Sequence, residues 1–324
     1  MQTRIFGRTG RKVTAIGFGA WPIGQKETDS QATTGSYGHV PPEQAQTVVE
    51  RYVESGGSFI DTARAYGTSE SIIGRCSFIK ERREEIFLAS KTGRTNAVES
   101  LPEIRKELET TLRNLNTDYL DLYQIHSPPE DPDLMIRVLD IFDELKAEGK
   151  IRAIGASVKG PDVTDATVEL ARQYIETGRV DALQLIYSMF RRRHEETFAA
   201  AAKANVAIIA RTVLESGFLT GKYAPGTSFD GHRSRWGVLR RDQLLEEAEH
   251  LKHYLAPPYE SLAQAAQKFA LERPEVSVII PGARTVQQVD ANLAVDTLPP
   301  LPEDLRRAVN QLPERIADLA NTGA

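Results

Sequence analysis

Cysteine is nearly absent from this sequence. Cys76 is the sole example, which excludes a disulfide within the chain and a thiolate-held metal cluster. Long apolar runs are missing too: nothing approaches the ~20 residues of a membrane-spanning helix. The start, Met1-Gln-Thr-Arg-Ile-Phe-Gly, has no apolar core of a secretory signal, so the expected location is cytoplasmic. Positive charge is not in excess, with 40 Lys and Arg against 45 Asp and Glu and a formal charge of -5. A basic nucleic-acid-binding face is therefore not expected. The one basic cluster, Arg191-Arg192-Arg193-His194, reads as a solvated helix start. No Gly/Ser- or Pro-rich linker divides the chain, and residues 1–324 read as one domain, long enough to bury a large core.

What is present is an alternation. Residues 4–6 and 12–13 flank Gly7-Arg8-Thr9-Gly10 and predict a hairpin. Short apolar runs follow at 14–18, 58–61, 86–90, 120–125, 152–156, 182–187, 206–210 and 276–280. Amphipathic stretches separate them at 42–55, 69–78, 101–114, 133–148, 162–177, 195–204, 261–272 and 285–293. Ser100-Leu-Pro-Glu103 has the form of a capping box, and Gly56 and Gly149 supply glycine stops after two helices. Continuous apolar strands alternating with helices imply a parallel sheet buried on both faces. Eight such units predict an α/β fold of the (β/α)8 TIM-barrel type, with an N-terminal β-hairpin. Long insertions at 23–40 and 217–255 leave the C-terminal ends of strands, the face on which barrel enzymes build their sites.

Three successive strands end in a titratable residue: Asp61 in Phe59-Ile-Asp61, Lys91 in Phe87-Leu-Ala-Ser-Lys91, and His126 in Asp121-Leu-Tyr-Gln-Ile-His126. Tyr66 follows Asp61 in a loop that can lean over the same rim. Taken singly, each has an ordinary structural reading, as a satisfied histidine, a snorkelling lysine or a capping aspartate. Their convergence on one rim points instead to proton transfer. A phenol, with an ordinary pKa near ~10, is a protonated but reluctant donor. An ammonium about 4 Å away, at an effective dielectric of about 20, favours the phenolate by ~4 kcal/mol. In this scheme Asp61 keeps Lys91 charged, Tyr66 donates a proton, and His126 orients a carbonyl oxygen, with no metal required.

The set Asp61, Tyr66, Lys91 and His126, in this order and spacing, resembles the catalytic residues of the aldo-keto reductases. The likeness extends over nearly the whole chain. It implies reduction of an aldehyde or ketone to an alcohol by a nicotinamide cofactor, NADP(H) in preference with NAD(H) as the alternative. Gly17-Phe-Gly19-Ala-Trp21 looks like the family's first-strand segment, with Trp21 beside the substrate together with Tyr66 and His126. Ser157 and Gln184 stand where members hold the nicotinamide carboxamide. Phe218-Leu-Thr-Gly-Lys222-Tyr223, with Arg211, Leu214 and Ser216 before it, matches a cofactor segment. Ile280-Pro-Gly282-Ala-Arg284-Thr285, with Gln288 and Asn292, matches another, for which the resemblance implies contacts to the adenosine 2′-phosphate and adenine. Asp61 counts among the cofactor residues as well.

The family pattern is broken at three places. Val158 stands where many members have Asn, and Arg211 where many have an aromatic residue that stacks on the nicotinamide. Gln288 replaces an Arg found in some. Gly17-Phe-Gly-Ala-Trp-Pro-Ile-Gly24 starts like a dinucleotide fingerprint, but its third glycine comes too late. Gly217 to Tyr223 is one residue short of a phosphate loop. The expected partner is a small carbonyl substrate, in a pocket to which Trp21, Tyr37, Phe229 and Trp236 offer aromatic surface. The tract His232-Arg-Ser-Arg-Trp236 reads as a surface charge run. The other functional class is a cofactor-binding regulatory subunit resembling potassium-channel β-subunits. A chain that starts almost directly at its hairpin fits that class less well.

Overall fold

The computed structural model describes residues 1–25, 38–94, 101–158, 160, 162–229, 233–234 and 236–320. A hairpin, β1 (Thr3–Ile5) and β2 (Lys12–Thr14), precedes eight short strands: β3 (Phe18–Gly19), β4 (Phe59–Asp61), β5 (Phe87–Arg94), β6 (Leu122–His126), β7 (Ile154–Ser157), β8 (Ala182–Ile186), β9 (Ala207–Arg211) and β10 (Val276–Ile279). The eight run parallel in sequence order, and bridges Ile16 to Ile279 and Gly19 to Gly282 join the last strand to the first segment. This is the (β/α)8 barrel.

Two apolar layers hold it. Inside, Phe59, Phe87, Leu122, Ile209 and Val278 pack with Ala89, Ala153, Ala182 and Ala207, and Phe6 and Val13 of the hairpin close the N-terminal end. Phe6 sits 4.6 Å from Phe87 and 5.5 Å from Phe59, ring centre to ring centre. The alanines leave room for these rings, so the lumen is filled with side chains rather than open. Outside lie α1 (Pro42–Glu54), α2 (Ser69–Ile73), α3 (Phe78–Glu81), α4 (Glu103–Leu115), α5 (Pro132–Ala147), α6 (Asp165–Glu176), α7 (Glu195–Lys203), α8 (Val238–Lys252), α9 (Leu262–Leu271) and α10 (Val286–Ala294), with α11 (Glu303–Asn310) and α12 (Glu314–Ala320) packed on α8.

Local chemistry sets the helix ends. Asp131 accepts from the Leu134 amide ahead of Pro132, Thr164 and Thr167 form a reciprocal cap, and Ser261 and Thr285 cap α9 and α10. Gly56 and Gly149 adopt positive φ after α1 and α5, the stops expected from the sequence. Ser100 of the expected capping box lies outside the described residues.

Several expectations need correcting. Residues 14–18 are not one strand. Thr14 ends the hairpin, Ile16 makes a single bridge, and the barrel strand is only Phe18–Gly19. Phe6 leaves the hairpin to plug the barrel, so β1 ends at Ile5. The helix expected at 69–78 is two, α2 and α3, parted where Gly74 packs on the Asn114 carbonyl, a contact with no space for a Cβ. Inside the second insertion lies α8, whose buried Leu244, Leu245, Ala248 and Leu251 are interleaved with charge. The C-terminal α11 and α12 follow the proline-rich 298–302 and have no counterpart among the expected helices. Among the described residues, no helix is long and apolar enough to cross a membrane.

Candidate active site

Asp61 and His126 are the last residues of β4 and β6, while β5 runs past Lys91 to Arg94 with an irregular register. The fully buried Lys91 donates three hydrogen bonds: to Asp61 Oδ2 at 2.5 Å, to the Thr62 carbonyl at 2.9 Å and to Tyr66 Oη at 3.3 Å. Burial alone would lower the Lys91 pKa. The Asp61 carboxylate and then the Tyr66 oxygen outweigh that and hold it above the ordinary lysine value, so the side chain is an ammonium. Asp61 Oδ1 accepts from Gln124 Nε2 at 2.9 Å and Gln184 Nε2 at 2.8 Å. The Tyr66 and His126 rings stand edge to face, 6.1 Å apart.

The loop bearing Tyr66 is tightly held. Thr62 and Ser69 join hydroxyls at 2.9 Å across its base, and the Thr68 amide donates to the Gln25 carbonyl. Gly67 has φ +57 and lies against the Gln25 backbone, while Gly24 lies against the Tyr66 carbonyl. A Cβ at either position would overlap backbone. At the loop's end the buried Glu70 accepts from Ser90, Thr111 and Asn114, tying α2 to β5 and α4.

These groups form one end of a cavity of about 600 Å³. Every residue assigned above to the cofactor lines it: Gly19, Trp21, Asp61, Ser157, Gln184, Arg211, Leu214, Ser216, Lys222, Gly282, Arg284, Gln288 and Asn292. Tyr66 and His126 line it too, and Lys91 stands behind them. Basic groups gather towards the other end. Burial, and then the neighbouring Arg233, hold the Arg284 pKa below its ordinary value, partly opposed by Tyr223. Arg233 Nε donates to the Ser216 carbonyl at 2.6 Å. The Arg284 amide donates to Gln288 Oε1 at 2.8 Å, at the start of α10.

Beside them the chain takes an unusual path. Thr212, Glu215 and Ser216 have φ of 61, 47 and 55°, and Gly217 follows at 101°. Such strained residues persist only where their surroundings over-determine them. Here the buried Glu215 is gripped by Arg191, with Nη2 to Oε2 at 2.7 Å and Nε to Oε1 at 2.9 Å, and by the Ser188 hydroxyl.

Sequence reasoning missed Arg191 and Arg233 as cavity residues. The run 191–194 is no solvated helix start: Arg191 and His194 are both buried, because Glu215 compensates the arginine from another loop. The His194 pKa is lowered to about 3 by burial and then by Arg211 and Arg191. Nor is 232–236 simply a surface run, since Trp236 is buried against Phe218 and donates to the Ala320 carbonyl. Trp236 and Phe229 pack on Phe218 within the insertion and do not line the cavity. Tyr37 and His232 lie outside the described residues. Arg211 reaches across to the Val158 carbonyl at 3.1 Å.

A parallel barrel with a cavity at the C-terminal ends of its strands is the architecture of a barrel enzyme. The family model described as "Aldo/keto reductase family" matches residues 15–313, and the chain belongs to that family of nicotinamide-binding oxidoreductases. The aldo-keto reductase YhdN of Bacillus subtilis is 30% identical over 301 residues, covering 87% of this chain and 85% of that protein. The NADH-specific methylglyoxal reductase of Escherichia coli is 28% identical over 320 residues, covering 89% and 91%. The solved holo structure of an aldo-keto reductase from Bacillus halodurans aligns with a TM-score of 0.74 at 25% identity, over 100% of this chain and 98% of that one.

Proposed function

We propose that this protein reduces an aldehyde or ketone to an alcohol, with Asp61, Tyr66, Lys91 and His126 as its catalytic residues. The observation that carries the reading is the buried Lys91 ammonium, held between the Asp61 carboxylate and the Tyr66 hydroxyl. Tyr66 gives its Oη proton to the carbonyl oxygen, and the Lys91 charge 3.3 Å away stabilises the phenolate left behind. Asp61 fixes the lysine and keeps it charged. His126 donates a hydrogen bond that sets the carbonyl oxygen facing Tyr66.

The cavity suits a nicotinamide dinucleotide, because it joins the catalytic residues to the basic side chains near the start of a capped helix. When bound in reduced form, the cofactor supplies the hydride. Ser157 and Gln184 would hold its carboxamide, and Gly19, Trp21, Leu214, Ser216 and Gly282 its body. Lys222, Arg284, Gln288 and Asn292 would hold its phosphates and adenine. The half-buried Arg284, set close enough to Arg233 for mutual repulsion, favours an added anion there, which supports NADP(H) over NAD(H). We place the enzyme in the cytoplasm, with a small carbonyl compound as its substrate.

Oxidation of NADPH and of NADH by a panel of aldehydes, followed by absorbance, tests cofactor and reaction together. Tyr66→Phe is expected to lose turnover while still binding the nucleotide. Wild-type turnover by that variant would refute the proposed donor.

A further inference from the structure

Gln124, on β6, lies behind the cavity wall and is fully buried. Its side chain meets that of Gln184, on β8, across the intervening strand β7. The crossing exists because Gly155 lies between them: a Cβ there would come within 2.7 Å of Gln124 Cγ. Gly155 is in register with both Gln124 and Ala182.

The hydrogen bonds of this cluster leave no freedom in how the amides point. An ionised carboxylate only accepts, so both glutamines must turn an N–H towards Asp61 Oδ1. The carbonyl of Gln124 then accepts the second N–H of Gln184 at 3.1 Å. With both of its N–H groups committed, Gln184 has only its carbonyl oxygen left. That oxygen accepts from Ser157 Oγ at 3.3 Å and keeps a further lone pair. Gln184 and Ser157 line the cavity.

We infer that Gln124 is a positioning residue that, together with Asp61, fixes which end of the Gln184 amide a ligand meets, so that this corner accepts an N–H and discriminates against groups without one. Through Asp61 the same amide also braces Lys91. The inference rests on the nicotinamide reading above, in which the ligand group is the cofactor carboxamide. Without Gln124, one N–H of Gln184 loses its acceptor and Asp61 alone holds the amide, so the flipped orientation, with an N–H towards the cavity, becomes less costly.

The test is a ratio of binding constants, read by fluorescence without turnover. NADPH is compared with its 3-acetylpyridine analogue, in which a methyl ketone replaces the carboxamide and no N–H remains. Wild-type protein is expected to favour the carboxamide form. Gln124→Met, of similar length and unable to hydrogen-bond, should lower that preference about fivefold, the equivalent of ~1 kcal/mol for one hydrogen bond. Gly155→Ala, which displaces Gln124 from the opposite side, should lower it in the same direction and serves if the first variant folds poorly. Unchanged preference in a variant that still binds overturns the inference, as does equal weakening of both nucleotides, the mark of a purely structural role. If wild-type protein binds neither nucleotide, the nicotinamide reading itself falls and this inference falls with it.

Discussion

Replacing Lys91 by Met separates what the buried ion pair does for chemistry from what it does for folding. Lys91 Nζ lies 3.3 Å from Tyr66 Oη, so at an effective dielectric of about 20 its charge favours a phenolate by ~5 kcal/mol. Even partial loss of that stabilisation should lower kcat for aldehyde reduction by about a thousandfold. The same change strands the buried Asp61 carboxylate with only the Gln124 and Gln184 amides, at a cost of about 3–5 kcal/mol of stability. In the double variant Asp61→Asn/Lys91→Met no charge is left behind. The shorter amide introduced there retains an oxygen for both glutamines, so urea unfolding should recover at least about half of the lost stability. Its kcat should stay as low as that of Lys91→Met. Steady-state kinetics with saturating nucleotide, set beside the unfolding curves, decide the matter. A Lys91→Met enzyme within about tenfold of wild-type kcat would refute the electrostatic role. A double variant that regained activity together with stability would show that the lysine matters only for folding.

Two further outcomes follow from groups around the strained turn. His194 has its pKa lowered to about 3 in the folded protein, so between pH 6.5 and pH 3 the unfolded chain binds the extra proton and stability falls as pH falls. From pH 6.5 to pH 4 that amounts to roughly 3 kcal/mol; His194→Gln should lose correspondingly less on acidification in urea titrations, and parallel pH profiles would contradict this. Arg211 lines the cavity, and in the proposed binding mode its positive charge opposes the cationic ring of an oxidised nicotinamide. Arg211→Tyr should therefore lower the Kd for NADP+ relative to that for NADPH severalfold, and an unchanged ratio would show that the guanidinium does not face the ring.

How much of this could be read from the chain depended on whether a residue's role was set locally. Asp61 and His126 end strands, and the alternation of apolar runs fixes where strands end, so their convergence was readable before any coordinates. Lys91 was readable for the same reason, although its strand continues to Arg94. Tyr66 lies in a loop, and its role as donor depended more on the family resemblance. The backbone contacts at Gly24 and Gly67 that place it depend on two segments meeting in space. Arg191 was misread because a run of arginines looks solvated, and its partner Glu215 is remote in sequence. Trp236 offered an aromatic surface of undecided use, and the burial that decides it involves Ala320, 84 residues further along the chain. The Gln124–Gln184 pairing was invisible for a related reason. It joins strands that are not neighbours, across a glycine whose purpose shows only once the register is known.

The grip of Arg191 on Glu215 bears on how such barrels can be recombined. The turn at 212–217 belongs to the loop after β9, yet the side chain that holds its shape comes from the loop after β8. The corresponding loop transplanted from a relative would arrive without its anchor, and an anchor kept alone would bury an uncompensated guanidinium. The unit of exchange here is thus two successive loops together, whereas Arg284 and Gln288, the proposed contacts of the adenosine phosphate, stand outside that partnership and can be changed singly.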